Sequence, residues 1–156
     1  MTSVHQSRGP VLFPPPLVYI AGFGLGLLIE LVVPSPHLPA WLRIIGASAG
    51  LALLVLLDTN AMLRFRRRGT PVNPARPAEA LVTDGPYRFT RNPMYLGMAC
   101  AYAGLALATG ALWSLAVLPL VILVVDRAIV PREEAHLATS IGEEYERYRR
   151  TVRRWL

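Results

Sequence analysis

Four apolar blocks, at about residues 12–33, 41–62, 94–112 and 113–130, constrain this 156-residue chain more than any other feature. Each is close to the length a helix needs to cross a hydrocarbon core of ~30 Å at about 1.5 Å per residue. The apolar residues come in runs rather than in an amphipathic rhythm, so these segments are suited to lipid on most sides. We expect an all-α integral membrane protein of one domain (1–156) with four transmembrane helices. A flexible lead (1–11), a loop (63–93) and a C-terminal amphipathic helix (131–156) complete it. The first block is too long for the apolar region of a cleavable signal and is followed by Glu30 and Pro34 rather than a small-residue cleavage site. Pro14, Pro15 and Pro16 suit the first positions of its helix, where a missing N–H costs little.

Charge predicts orientation. All sixteen basic residues are arginine, against ten acids, for a net charge of +6. Seven arginines (Arg64, Arg66, Arg67, Arg68, Arg76, Arg88, Arg91) fall between blocks two and three, and more follow Pro131. The links 34–40 and 109–114 carry no formal charge. Positive loops stay cytoplasmic, so the expectation is a multi-pass protein of the cell membrane with both termini inside. Trp41 and Trp113 then lie at the outer interface. Juxtamembrane arginines suit anionic lipid, and no nucleic-acid partner is expected. No feature of the sequence argues for a homo-oligomer.

Other patterns need less chemistry. Gly22-Phe23-Gly24-Leu25-Gly26 lacks the strand–loop–helix context of a nucleotide-binding loop. Gly22/Gly26 and Gly46/Gly50 instead read as small-xxx-small packing pairs. His5, His37 and His136 have no zinc spacing, and no metal site is expected. Cys100 reads as a small core residue. Glu30, Asp58, Asp126 and Arg127 are ionisable residues near span ends, where such groups commonly face a cavity or a partner. Asp126 and Arg127, adjacent on a helix and about 100° apart, are not expected to pair. One of them should face the interior.

The densest polar cluster precedes block three. Gly85-Pro86 marks a turn. In Asn92-Pro93, Asn92 suits an N-cap and Pro93 the first helical position. The helix end there offers unpaired N–H groups and a positive dipole end to a carboxylate or phosphate. Arg91 adds a planar cationic fork. Tyr87 and Tyr95 bracket it, a pattern that also fits a capped helix with interfacial anchors. Glu133 and Glu134, at the exit of block four, suit a cationic or diol-bearing ligand, or simply the first turn of a helix. Leu137, Ile141, Tyr145, Tyr148 and Val152 then make an apolar stripe opposite Arg147, Arg149, Arg150, Arg153 and Arg154. This helix is expected on the inner leaflet or folded under the bundle, with its end pinned by Trp155 and Leu156.

Five motifs occur in order: Thr70-Pro71-Val72-Asn73-Pro74, Leu81 to Arg88, Arg91-Asn92-Pro93-Met94-Tyr95-Leu96-Gly97, Arg132-Glu133-Glu134 and Gly142 to Tyr148. Together they resemble the isoprenylcysteine carboxyl methyltransferase family and, more distantly, phospholipid N-methyltransferases. The resemblance covers the second half of the chain. It departs at Asn92, where the family commonly has histidine, and at Val152-Arg153-Arg154-Trp155, which lacks the family's proline. It implies S-adenosylmethionine as methyl donor on the cytoplasmic side and a lipophilic acceptor entering from the bilayer. Arg91 and Glu133 would carry the catalysis. The cofactor would be held by Tyr87, Arg91, Asn92, Pro93, Tyr95, Gly97, Glu133, Glu134, Tyr145 and Tyr148. Arg91 would take its carboxylate, a glutamate its ribose or a cationic group, and the tyrosines its adenine or sulfonium. With no dedicated base besides the glutamates, an already ionised acceptor is favoured. The rival readings are a nicotinamide-dependent membrane reductase of related fold and a non-enzymatic scaffold for anionic lipid.

Overall fold

The computed structural model describes residues 14–67, 69 and 81–156. The expected lead and the Thr70 to Pro74 motif lie outside them. Among the described residues all regular structure is helical. The order is α1 (Pro15–Val32), α2 (Ala40–Arg67), a 3-10 turn (Gly85–Arg88), α3 (Pro93–Thr109), α4 (Leu112–Val124), a π turn (Val125–Ile129), α5 (Val130–Ile141) and α6 (Glu143–Thr151).

Three helices are long and apolar enough to cross a membrane: α1, α2 and the continuous run Leu112–Ile141. Helix α3 is apolar but shorter, at 17 residues. It starts only at Pro93 and ends where Gly110 turns left-handed at φ 79°. The chain is a multi-pass membrane protein.

Several expected boundaries differ: α2 continues to Arg67, past 62, and α3 stops at Thr109, short of 112. The fourth apolar block was expected to end before Pro131, yet the helix runs through it. Proline lacks an N–H and its ring disturbs the preceding turn. Here the wider π turn immediately precedes it, with Val130 N–H reaching the Val125 carbonyl, so the register shifts before proline arrives. The expected single helix 131–156 is broken at Gly142, which takes φ 70° and ψ −133°, and ends at Thr151.

Packing follows the small residues. The main pairings are antiparallel, α2 with α3 and α1 with α4, and α3 joins the halves through α4 and α1. A Cβ on Gly50 would lie 2.6 Å from the Cys100 carbonyl oxygen and from Gly104 Cα, and one on Gly26 2.5 Å from Ser114 Oγ. Gly22 meets Val121 and Gly46 meets Leu107, whereas Gly24 faces open space. The glycine run of α1 is thus a packing surface. In lipid, where tails are as apolar as leucine, such close approach supplies the helix attraction.

Polar groups close the helix ends opposite the arginine-rich one. Glu30 accepts the Ser35 N–H at 2.6 Å and lies 3.4 Å from the Trp113 N–H at the start of α4. Arg43 donates twice to the Ala108 carbonyl, at 2.9 and 2.7 Å, near the end of α3. An anion at a helix start and a cation at a helix end both complement the dipole.

Candidate active site

The site grows from the start of α3. Gly85 takes φ 63°, and the 3-10 turn brings Tyr87 inward. Pro93 occupies the start of α3, as expected. Asn92 does not cap it, for its side chain makes no cap hydrogen bond. Instead Nδ2 donates to the Arg154 carbonyl at 3.0 Å, and Thr90 Oγ1 donates to the same oxygen at 2.9 Å. The Arg91 N–H donates to the Arg153 carbonyl at 3.0 Å. Residues 90–92 therefore hold the C-terminal segment, and the asparagine that stands where histidine is usual supplies one of these bonds.

Charges lock this junction. Arg91 Nη1 lies 2.9 Å from Glu134 Oε1, both side chains nearly buried. Arg154 donates to both Glu134 oxygens, at 3.1 and 2.7 Å, and to Asp126 Oδ1 at 3.1 Å. The Trp155 indole N–H donates to the same Asp126 oxygen at 2.8 Å. Two charge-assisted bonds in a fork are strong and directional. Among the described residues, Nε and Nη1 of Arg91 complete no well-aligned hydrogen bond. Asp126 is the member of its adjacent pair that faces inward. Arg127 is largely exposed, but contrary to expectation it reaches back to Asp126 at 3.2 Å, a contact its long side chain makes along the π turn.

The two glutamates have separate surroundings. Glu134 is buried and neutralised by two arginines. Glu133 is half-buried, accepts the Tyr95 hydroxyl at 2.5 Å, and has no arginine against it among the described residues. Tyr95 is tied in turn to α1, whose Tyr19 hydroxyl donates to the Tyr95 carbonyl at 2.9 Å.

Tyr145 and Tyr148 do not lie on an outer surface. With Leu137, Ile141 and Val152 they pack under the bundle against Ala61, Leu81, Val82 and Tyr87, the second of the two placements expected for the tail stripe. The Tyr148 hydroxyl donates to the Tyr87 carbonyl at 2.8 Å. Burial pushes the hydroxyls of Tyr87, Tyr145 and Tyr148 up, so they stay neutral donors; Arg91 opposes this at the latter two. Arg154, expected on the polar face of the tail, turns inward, and its partners Glu134 and Asp126 hold its charge more firmly.

The chain matches the family model described as phospholipid methyltransferase over residues 42–144, well over half its length. It belongs to that family. The match spans every expected site residue except Tyr145 and Tyr148, and it supports the resemblance drawn from the motifs. A relative described only as an uncharacterized protein, from Haemophilus influenzae, is 49% identical over 35 residues. That stretch is 22% of this chain and 56% of the relative, so the match spans little more than half of the relative's length. No solved structure matches.

Within this family framework the structure brings together Tyr87, Arg91, Asn92, Pro93, Tyr95, Glu133, Glu134, Tyr145 and Tyr148 at one end of the bundle. Gly97 lies one turn further along α3, where Asp58 of α2 comes against it; a Cβ there would sit 2.6 Å from Asp58 Oδ1. Sequence reasoning missed Thr90, Asp126 and Arg154 as partners of the site. Arg154 and Trp155 fall in the last stretch compared with the family, whose departure is a missing proline and not the arginine. Finally, an apolar groove of about 420 Å³ runs between α1 and α4, lined by residues that include Val18, Gly22, Leu25, Val121 and Val124.

Proposed function

We propose that this protein transfers a methyl group from S-adenosylmethionine to a lipid at the cytoplasmic face of the cell membrane. In this reading α3 is a fourth, short span and both termini are cytoplasmic, as the arginine distribution favours. One observation carries the cofactor assignment. Arg91, nearly buried, pairs Nη1 with Glu134, yet its Nε has no hydrogen-bond partner among the described residues, beside the uncapped start of α3. A buried guanidinium left short of hydrogen bonds is costly, and the carboxylate of an amino-acid moiety would complete it.

When bound, S-adenosylmethionine supplies a methyl group activated on a cationic sulfonium. The protein's own residues hold and orient. Arg91, with the α3 N-terminus, binds the carboxylate. Glu134 does not bind ligand; it fixes the Arg91 fork and, through Arg154, fastens the tail over the site. Glu133, oriented by the Tyr95 hydroxyl and unopposed by any described arginine, receives the ribose or a cationic group. The neutral tyrosines shield the site from water, and holding reactants aligned in a dry site supplies much of the rate.

The charge pattern bears on the acceptor. Glu133 and Asp58 both lack an arginine partner among the described residues, so an anionic acceptor would meet uncompensated carboxylates. A protonated amine headgroup would be attracted instead. The groove between α1 and α4 would take its acyl chain. The test is calorimetry with S-adenosylhomocysteine on the purified protein, together with labelled methyl transfer into a lipid extract. Binding is expected in the wild type and to weaken at least about tenfold in Arg91→Ala. Binding of a reduced nicotinamide in place of the methyl-donor product would overturn the reading.

A further inference from the structure

Asp58 is a carboxylate that the motifs leave out. It lies well before the end of α2, and its Oδ1 is buried without a hydrogen-bond partner. The oxygen packs against Gly97, the glycine that closes the Arg91 to Gly97 motif. Glycine is required there by that approach, since a Cβ would sit 2.6 Å from the carboxylate oxygen. A solvent-starved carboxylate within a membrane helix is expensive unless a partner arrives.

Its contact places it at the site's edge: Gly97 lies four residues along α3 from Pro93, on the helix that also carries Tyr95, the partner of Glu133. The charges thus divide. Arg91, Glu134 and Arg154 compensate one another, whereas neither Asp58 nor Glu133 has an arginine against it among the described residues. Arg64, further along α2, is engaged by Asp84 and packs on Gly85.

We propose that Asp58 binds the headgroup of the acceptor and takes its proton. An ammonium headgroup approaching Tyr87 would donate an N–H to Oδ1. The N–H bond then breaks, its electron pair stays on nitrogen, and Asp58 becomes a neutral carboxylic acid. The freed lone pair is what a methyl acceptor needs, and the proton later returns to water. This assignment rests on the methyltransferase reading above and gives that reading the base the motifs do not supply.

The test uses the whole chain in detergent and three variants, Asp58→Asn, Asp58→Glu and Asp58→Ser, with gel filtration to confirm folding. Asp58→Asn should keep wild-type affinity for S-adenosylhomocysteine by calorimetry. Its kcat on vesicles of phosphatidylethanolamine should fall about 100-fold or more, the usual contribution of a positioned base. A short-chain amine phospholipid added without donor should bind the variant at least about tenfold more weakly. Asp58→Glu, which keeps the carboxylate, should recover part of kcat. Should the asparagine variant not fold, Asp58→Ser takes its place with the same expectations. Unchanged kcat in Asp58→Asn, or equal losses in the asparagine and glutamate variants, overturns the role of Asp58 while leaving the methyltransferase reading intact. Donor binding with no methylated amine lipid overturns the acceptor and with it the role of Asp58. Failure of the wild type to bind S-adenosylhomocysteine overturns the functional reading itself.

Discussion

In the middle of the bundle, Gly26 meets Ser114 and Gly50 meets Gly104 with almost no side chain between the helices. At the arginine-rich end, the helices are joined by Arg91, Glu134, Arg154 and Asp126 and by tyrosine hydroxyls seated on carbonyls. The first region has lipid as its alternative environment, so only close packing favours association. The second has water as its alternative, so the charges must be well paired to remain buried. A membrane protein of this size can therefore keep a smooth, weakly specified body and concentrate its exact geometry at one end.

Breaking the charged junction should have the largest effect. Glu134→Leu leaves Arg91 and Arg154 facing each other without their shared carboxylate, and should lower stability by about 3 kcal/mol. It should also abolish S-adenosylhomocysteine binding, because the Arg91 fork loses its anchor. Unfolding in mixed micelles and calorimetry read the two effects separately. Gly50→Val tests the body of the bundle: its branched side chain meets backbone of α3, with a cost of roughly 2–3 kcal/mol. Because the two positions lie in different regions, the double variant should show additive losses. A coupling well above about 0.5 kcal/mol would mean the regions are not energetically separate.

Asn92→Ala sharpens the comparison further. It removes one of the two side-chain bonds to the Arg154 carbonyl and should cost about 1 kcal/mol. Its signature is local: faster amide exchange from Arg153 to Leu156, with the α1–α4 interface unchanged. Arg149→Ala sits at the bottom of the scale. Its pair with Glu146, at 3.3 Å, is exposed on the outer face of α6 and should contribute under about 0.5 kcal/mol. A larger loss on thermal unfolding would show that α6 is held from its outer side as well.

Much of the architecture was legible in particular residues. The apolar blocks announced helices, and Pro15 and Pro93 marked two helix starts. The glycine pairs of α1 and α2 proved to be contact points. Of the candidate site, the gathering of Arg91, Tyr95 and the two glutamates was expected from motif order. Their division of labour was not. Glu133 and Glu134 are neighbours in sequence and look equivalent, yet one takes a tyrosine hydroxyl and the other two guanidinium groups. Asn92 reads as a cap and is a tether, because the carbonyl that recruits it lies 62 residues away.

The sequence alone determined the lengths of the apolar segments, the asymmetry of the arginines and the family. These depend on local composition, which fixes where a segment is most stable whatever its neighbours do. Tertiary structure decided that the helix passes through Pro131, that Arg154 turns inward to Glu134, and that Asp58 comes to rest against Gly97. Each of those outcomes is a choice between groups far apart in the chain. Only their packed positions determine which carboxylate is neutralised by arginine and which is not.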